Sequence, residues 1–132
     1  MTINHPDFRS QLVTPVICSD AGAKAILASA GDDVANFVRQ TKPVIWFHVG
    51  DFAVAGLRPD RGVVTLCSTW VHADYRNRGI GRSLIAARLE YARGLGYQWA
   101  RTWAFHPEEF ERMGWQRGRK TSVGAWYMRG KI

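Results

Sequence analysis

The stretch from Val63 to Arg93 limits the fold more than any other part of this chain. Val63–His72 (VVTLCSTWVH) is rich in β-branched and aromatic residues and reads as a strand. Gly81–Arg93 then carries Leu84, Ile85, Leu89 and Ala92 at helical spacing, with Arg82, Glu90 and Arg93 off that stripe. A change of period across a short glycine-containing loop fixes a strand-loop-helix unit. The flanking segments complete the order. Upstream, Gln11–Ser19 reads as a first strand, with Pro15 demanding an edge position. Ala21–Ala30 and Asp33–Thr41 read as short helices, broken at Gly31-Asp32 and ended by Lys42-Pro43. Val44–Val49 and Phe52–Leu57 flank a Gly50-Asp51 hairpin turn, and Pro59-Asp60-Arg61-Gly62 marks a second turn before Val63. Downstream, Gly94 and Gly96 stop the helix, and Tyr97–Phe105 alternates as a strand. His106–Met113 reads as a short helix led by Pro107, Glu108 and Glu109 and closed by Gly114. Trp115–Lys120 and Val123–Arg129 are two last strands around Thr121-Ser122. The order β-αα-βββ-α-β-α-ββ is that of an α/β (α+β) sheet with helices on both faces.

With 132 residues the chain is expected to form one domain over 1–132. No uncharged apolar run approaches the roughly 18 residues of a membrane span, so no membrane association is expected, and MTINHPDFRS lacks the basic-then-apolar signal pattern, so secretion is not expected. Cys18 and Cys67 have no ligand spacing, which excludes a disulfide scaffold and a cysteine zinc site; no metal is expected. Two thiols fit a reducing, cytoplasmic setting. Charge is distributed unevenly. Residues 1–75 hold six basic and seven acidic groups, while residues 76–132 hold twelve basic and four acidic, ten of the twelve being Arg. Arg makes planar, bidentate contacts with phosphate. The C-terminal part therefore suits a polyanionic partner, either a phosphorylated cofactor or a nucleic acid.

The loop at the period change carries the chemistry. In Val71-His72-Ala73-Asp74-Tyr75-Arg76-Asn77-Arg78-Gly79-Ile80-Gly81-Arg82-Ser83-Leu84, two glycines two residues apart let backbone approach a ligand without a Cβ in the way. The unpaired amides of the helix start, with the helix dipole, make an anion site suited to a pyrophosphate. Arg76, Arg78 and Arg82 surround it with positive charge.

This run resembles the pyrophosphate-binding motif of the GNAT superfamily of N-acetyltransferases, Arg/Gln-x-x-Gly-x-Gly/Ala, with Arg76, Gly79 and Gly81 at those places. Val71–Tyr75 resembles the V-x-P-x-Y lead-in, with Ala73 in place of Pro. Phe110-Glu111-Arg112-Met113-Gly114-Trp115 is similar to the Y/F-E-K-x-G-F signature of the last helix. The resemblance runs over about 44–116 and is weak over 1–43. It implies a mixed central sheet of about 6–7 strands, split by a V-shaped gap between the third meander strand and the next, parallel strand. Acetyl-CoA would lie there, leaving as CoA. Its pantetheine would pair with backbone at Thr69-Trp70-Val71, and its pyrophosphate would sit on amides from Asn77 to Ser83, that is Asn77, Arg78, Gly79, Ile80, Gly81, Arg82 and Ser83. A primary amine would attack the thioester directly in a ternary complex, an acyltransferase reaction that needs alignment, carbonyl polarisation and two proton routes.

The chain departs from the family at the acid and the base. Phe110 stands where Tyr is common and cannot protonate a thiolate. His106, four residues earlier, would share a helix face with Phe110 and is the candidate catalytic acid. Thr65, Cys67, Ser68 and Thr69 supply no carboxylate base, and nothing in the sequence activates Cys67. His48 reads as an alternating strand residue, His72 as a neighbour of the cofactor without chemistry, and His5 as part of a loose terminus. Of the six tryptophans, Trp70 and Trp103 are expected to flank the gap, to pack there or to stack on a nucleotide acceptor. Two other readings stay open. One is an acyltransferase directed at nucleic acid, at a base amine or an aminoacyl-tRNA. The other is a non-catalytic module of the same fold that binds CoA or a partner. A homodimer is common for the fold.

Overall fold

The computed structural model describes residues 14–29 and 43–132. The segment Asp33–Thr41, the Gly31-Asp32 break, the start of the first strand at Gln11 and His5 lie outside the described residues. The strands are β1 (Val16–Cys18), β2 (Ile45–Val49), β3 (Ala53–Pro59), β4 (Val64–Val71), β5 (Trp99–Ala104), β6 (Gln116–Lys120) and β7 (Trp126–Lys131). Among the described residues the helices are α1 (Asp20–Ala28), α2 (Ile80–Gly94) and α3 (Glu108–Arg112), with a 3-10 turn at Ala73–Tyr75. All seven strands join one sheet in the order β1-β2-β3-β4-β5-β7-β6. β1 is at the edge, as Pro15 requires, and β2-β3-β4 form an antiparallel meander.

Alternation along the meander divides the core. Phe47, Ala55, Leu57, Val64 and Leu66 meet the α2 stripe of Leu84, Ile85, Leu89 and Ala92 on one side. Trp46, Val54 and Trp70 meet Ala23 and Leu27 of α1 on the other. Helices therefore cover both faces of this half of the sheet.

Three boundaries differ from the sequence reading. α1 starts at Asp20 because the Ser19 hydroxyl accepts from the Gly22 amide at 3.0 Å and caps it. α2 runs through Gly94 and ends at Gly96, whose φ of 94° lets its amide and that of Tyr97 turn back to Arg93 and Ala92. α3 starts at Glu108, not at His106. The Pro107 carbonyl accepts from Phe110 and Glu111, so Pro107 is the cap and His106 stands ahead of the helix.

The sheet is split between β4 and β5. These strands are parallel but pair only at Val64↔Ala100 and Thr65↔Arg101. One step further the Thr102 hydroxyl donates to the Leu66 carbonyl at 2.9 Å, a side-chain bond where the ladder stops. β4 bends away because its register against β3 slips between Val54 and Gly56, where Ser68 takes a φ of 51°. Such a bulge bends and twists the strand that carries it.

Candidate active site

The split leaves a cleft of about 250 Å³. Thr69 of β4, Thr102 and Trp103 of β5, Gly81 and Arg88 of α2, and Phe110 of α3 line it. It therefore runs from the β4 bulge to the first turn of α2. A second hollow of about 340 Å³ continues between α2 and α3, lined by Arg82, Ile85 and Arg112 among others.

The loop from β4 to α2 is braced from within. The His72 imidazole accepts from the Asp74 amide at 3.1 Å and caps the 3-10 turn. Phe52 stacks on Tyr75 with centroids 4.0 Å apart, and the Arg78 guanidinium lies 5.7 Å from the Tyr75 ring centroid. The Arg76 side chain turns back, its Nε donating to the Val71 carbonyl at 2.8 Å, so it clamps the end of β4 to the loop. Asn77 and then Gly79 adopt left-handed conformations, at φ of 63° and 85°. That geometry turns the chain into α2, whose N-terminus has no side-chain cap. Ser83 is the first residue whose amide reaches back to Gly79, and its hydroxyl donates to the Ile80 carbonyl. The amides before it point out of the helix end. A Cβ at position 79 or 81 would meet nothing within 4 Å, so the space before this end is open. Ile80 itself is core. Arg78 and Arg82 are exposed beside the opening.

His106 and Phe110 both line the cleft, although they do not share a helix face as the sequence suggested. Phe110 packs on Trp115 with centroids 5.0 Å apart. Of the two tryptophans expected at the gap, only the ring of Trp103 lines it. The Trp70 ring points the other way, into the α1 core, which leaves its backbone alone on the β4 edge. Val71, next along, gives its carbonyl to Arg76. Cys67 is a poor nucleophile, since burial pushes its thiol up. His48 bonds the Gly50 carbonyl through Nδ1 at 2.7 Å, away from the cleft lining.

Several lining residues were not read as site residues from the sequence, among them Thr102, Glu109 and Arg88. Glu109 borders both hollows. Arg88 is the larger omission. It is 1% exposed, and its guanidinium donates to the Leu84 carbonyl at 3.0 Å, the Gly56 carbonyl at 2.9 Å and the Thr69 hydroxyl at 3.2 Å. The Gly56 carbonyl lies at the bulge, so Arg88 ties α2 to the place where β4 bends. Its position on the apolar stripe, four residues after Leu84, was the available signal.

The chain matches the model of the acetyltransferase (GNAT) family over residues 27–115. No match to a curated protein sequence was found. Among solved structures, Escherichia coli YhbS, a GNAT family N-acetyltransferase in complex with CoA, superposes with a TM-score of 0.67 at 17% identity, covering 89% of this chain and 79% of that one. Rv2747 of Mycobacterium tuberculosis, in complex with CoA and NLQ, gives 0.67 at 14% identity, covering 90% of this chain and 99% of that one. The ribosomal-protein-S18-alanine N-acetyltransferase of Escherichia coli gives 0.65 at 19%, covering 90% and 94%. At such identities these structures share the fold. The family match spans most of the chain, including the split strand pair and the glycine loop, and on that ground this protein belongs to the GNAT acetyltransferase family.

Proposed function

We propose that the protein is an acetyl-CoA-dependent N-acetyltransferase that passes an acetyl group to a primary amine by direct attack in a ternary complex. The observation that carries this reading is the stretch of β4 beyond Leu66, which has no ladder pairing with β5 and leads through the glycine loop to an uncapped, open helix end. The fit to acetyl-CoA is good in chemical terms. A strand edge at Thr69-Trp70-Val71 with no β5 ladder on it suits the amides of pantetheine, the Val71 carbonyl itself being taken by Arg76. The α2 end from Asn77 to Ser83, with Arg78 and Arg82 beside it, suits a pyrophosphate. Arg76 serves this reading indirectly, by holding β4 and the loop together.

In the reaction the amine nitrogen bonds to the thioester carbon, the C–S bond breaks, one proton leaves the amine and one reaches the thiolate. Backbone amides at the bulge polarise the carbonyl, the cleft walls align the reactants, and His106 protonates the leaving sulfur. Water takes the amine proton, since β4 offers no carboxylate there.

The test is calorimetric binding of acetyl-CoA, CoA and ATP at two salt concentrations, with Gly81→Trp as the blocking variant. Binding selective for the CoA compounds, lost in a folded Gly81→Trp protein, is the expected result. Equal response to ATP, or affinity retained by the variant, refutes the cofactor site and returns the fold to an interaction role.

A further inference from the structure

The far half of the sheet carries a second surface, which meets the cleft at Trp103. Along β5 the residues alternate: Ala100, Thr102 and Ala104 are buried on the α2 side, while Trp99, Arg101 and Trp103 face the other way. Their partners on β7 share that face, with Trp99 opposite Lys131, Arg101 opposite Arg129, and Trp103 opposite Tyr127. The result is a two-by-three grid of rings and cations. Arg129 lies 4.6 Å from the Trp99 ring centroid, Arg101 lies 5.7 Å from that of Trp103, and Trp103 and Tyr127 are 5.5 Å apart. On this side α1 packs against β2, β3 and Trp70 of β4. The two tryptophans are left 38% and 44% exposed. Large rings grouped in the open mark a binding surface.

The charges say what binds. Arg101 is neutralised by Asp60, at 3.2 Å, and Asp60 is itself held by Arg58 and Thr65. Arg129 and Lys131 are exposed with no acidic residue on either strand. An open depression of about 600 Å³ beside Trp103 and Tyr127 adds Arg119 and Lys120. Two copies of the chain meeting through this face would set these cations against their own kind, so a second copy is disfavoured. Flat rings interleaved with cations suit a ligand that is itself flat-ringed and anionic along its length.

We propose that the β5–β7 face binds single-stranded nucleic acid, bases stacking on Trp99 and Trp103 and phosphates meeting Arg129, Lys131 and Arg119. Strand geometry puts the two tryptophans about 13 Å apart, far enough to take separate bases. Trp103 also borders the cleft, so a strand on this face passes its mouth. The surface needs no acetyl-CoA, and its test stands apart from the reading above.

The experiment is fluorescence anisotropy of a labelled twelve-residue oligo(U) with the full chain, at 50 and 200 mM salt. Three phosphate contacts predict an affinity roughly 20-fold weaker at the higher salt. Trp99→Ala and Trp103→Ala, both at exposed positions, are each expected to weaken binding about tenfold. Trp99→Ala lies outside the cleft and leaves acetyl-CoA binding unchanged. A duplex of the same length is expected to bind more weakly than the single strand. Absence of binding at 50 mM salt overturns the proposal. So does competition by poly-glutamate equal to that by oligo(U) with neither Ala variant having an effect, an outcome that assigns the face to acidic protein segments. A chain that sediments as a dimer through Trp103 and excludes the oligonucleotide overturns it as well.

Discussion

Replacing Arg88 by Met tests the connection between α2 and the bend in β4. Two terms oppose each other. The guanidinium is buried and no carboxylate pairs with it among the described residues, and burial pushes it down from its ordinary value to about 10. That displacement corresponds to an electrostatic cost on the order of 3 kcal/mol at neutral pH. Against it stand three hydrogen bonds from a charged donor, to Leu84, Gly56 and Thr69, at roughly 1.5–3 kcal/mol each. Met fills similar volume, removes the cost and loses all three bonds, and it leaves the buried Gly56 carbonyl without its donor. The balance is a loss of about 2–6 kcal/mol. For a domain of this size a loss near 3 kcal/mol lowers Tm by about 10 °C. Thermal and urea unfolding of Arg88→Met beside the parent measure it directly. A Tm equal to or above the parent's would refute the reasoning, because burial of the charge would then outweigh the bonds it makes and the bend would hold without it.

Three further outcomes are expected. Gly81→Ala, in an open helical position, raises stability by up to about 1 kcal/mol, whereas Gly79→Ala, at a φ of 85°, lowers it by about 1 kcal/mol; thermal melts separate the two. His106→Ala lowers kcat at least tenfold with the KM for acetyl-CoA unchanged if this side chain protonates the sulfur, and an unchanged kcat removes it from the reaction. Burial pushes the Asp60 carboxyl up, but hydrogen bonds from Thr65, Arg58 and Arg101 prevail and hold it below its ordinary 3.8. Its contribution is therefore complete above that value and lost as the pH falls through the lowered one. Asp60→Asn is expected to cost about 1–3 kcal/mol at pH 7, with the gap to the parent closing in melts as the pH falls below the ordinary carboxylate value; a gap independent of pH would refute it.

What could be read from the sequence was local. The β2–β3–β4 meander rests on two turn signals and on alternation within eight residues or fewer per strand. The α2 stripe and the glycine loop lie within one continuous segment. Arg88 could not be read this way. It occupies a stripe position where an apolar side chain is the default, and its acceptor on Gly56 is 32 residues away. That carbonyl seeks a side-chain donor only because β4 is bulged, and the bulge has no local signature beyond Gly56, whose Cβ would press on Val44 and Cys67. The tryptophans failed for a related reason. Trp70 and Trp103 look alike in composition, but the bulge at Ser68 changes which way β4 presents its side chains, so one ring enters a core and the other the cleft. His106 was placed in the helix, which starts two residues later, because Pro107 serves as a cap rather than as a helical residue.

The strand order has a consequence for how the chain acquires its shape. β5 keeps only two paired positions with β4, and among the described residues β6 has no sheet neighbour but β7. Both wait for β7, which follows them in the chain and slots between them. While the chain is being made, the meander with α2 can collapse early, whereas β5 and β6 emerge as strands without their main partner. The rings of Trp99 and Trp103 are carried on such an unpaired strand, and it is most prone to stray pairing until Trp126–Lys131 arrives. Folding of the second half is thus gated by its final strand, and a break between β6 and β7 would leave the first half ordered and the second half adhesive.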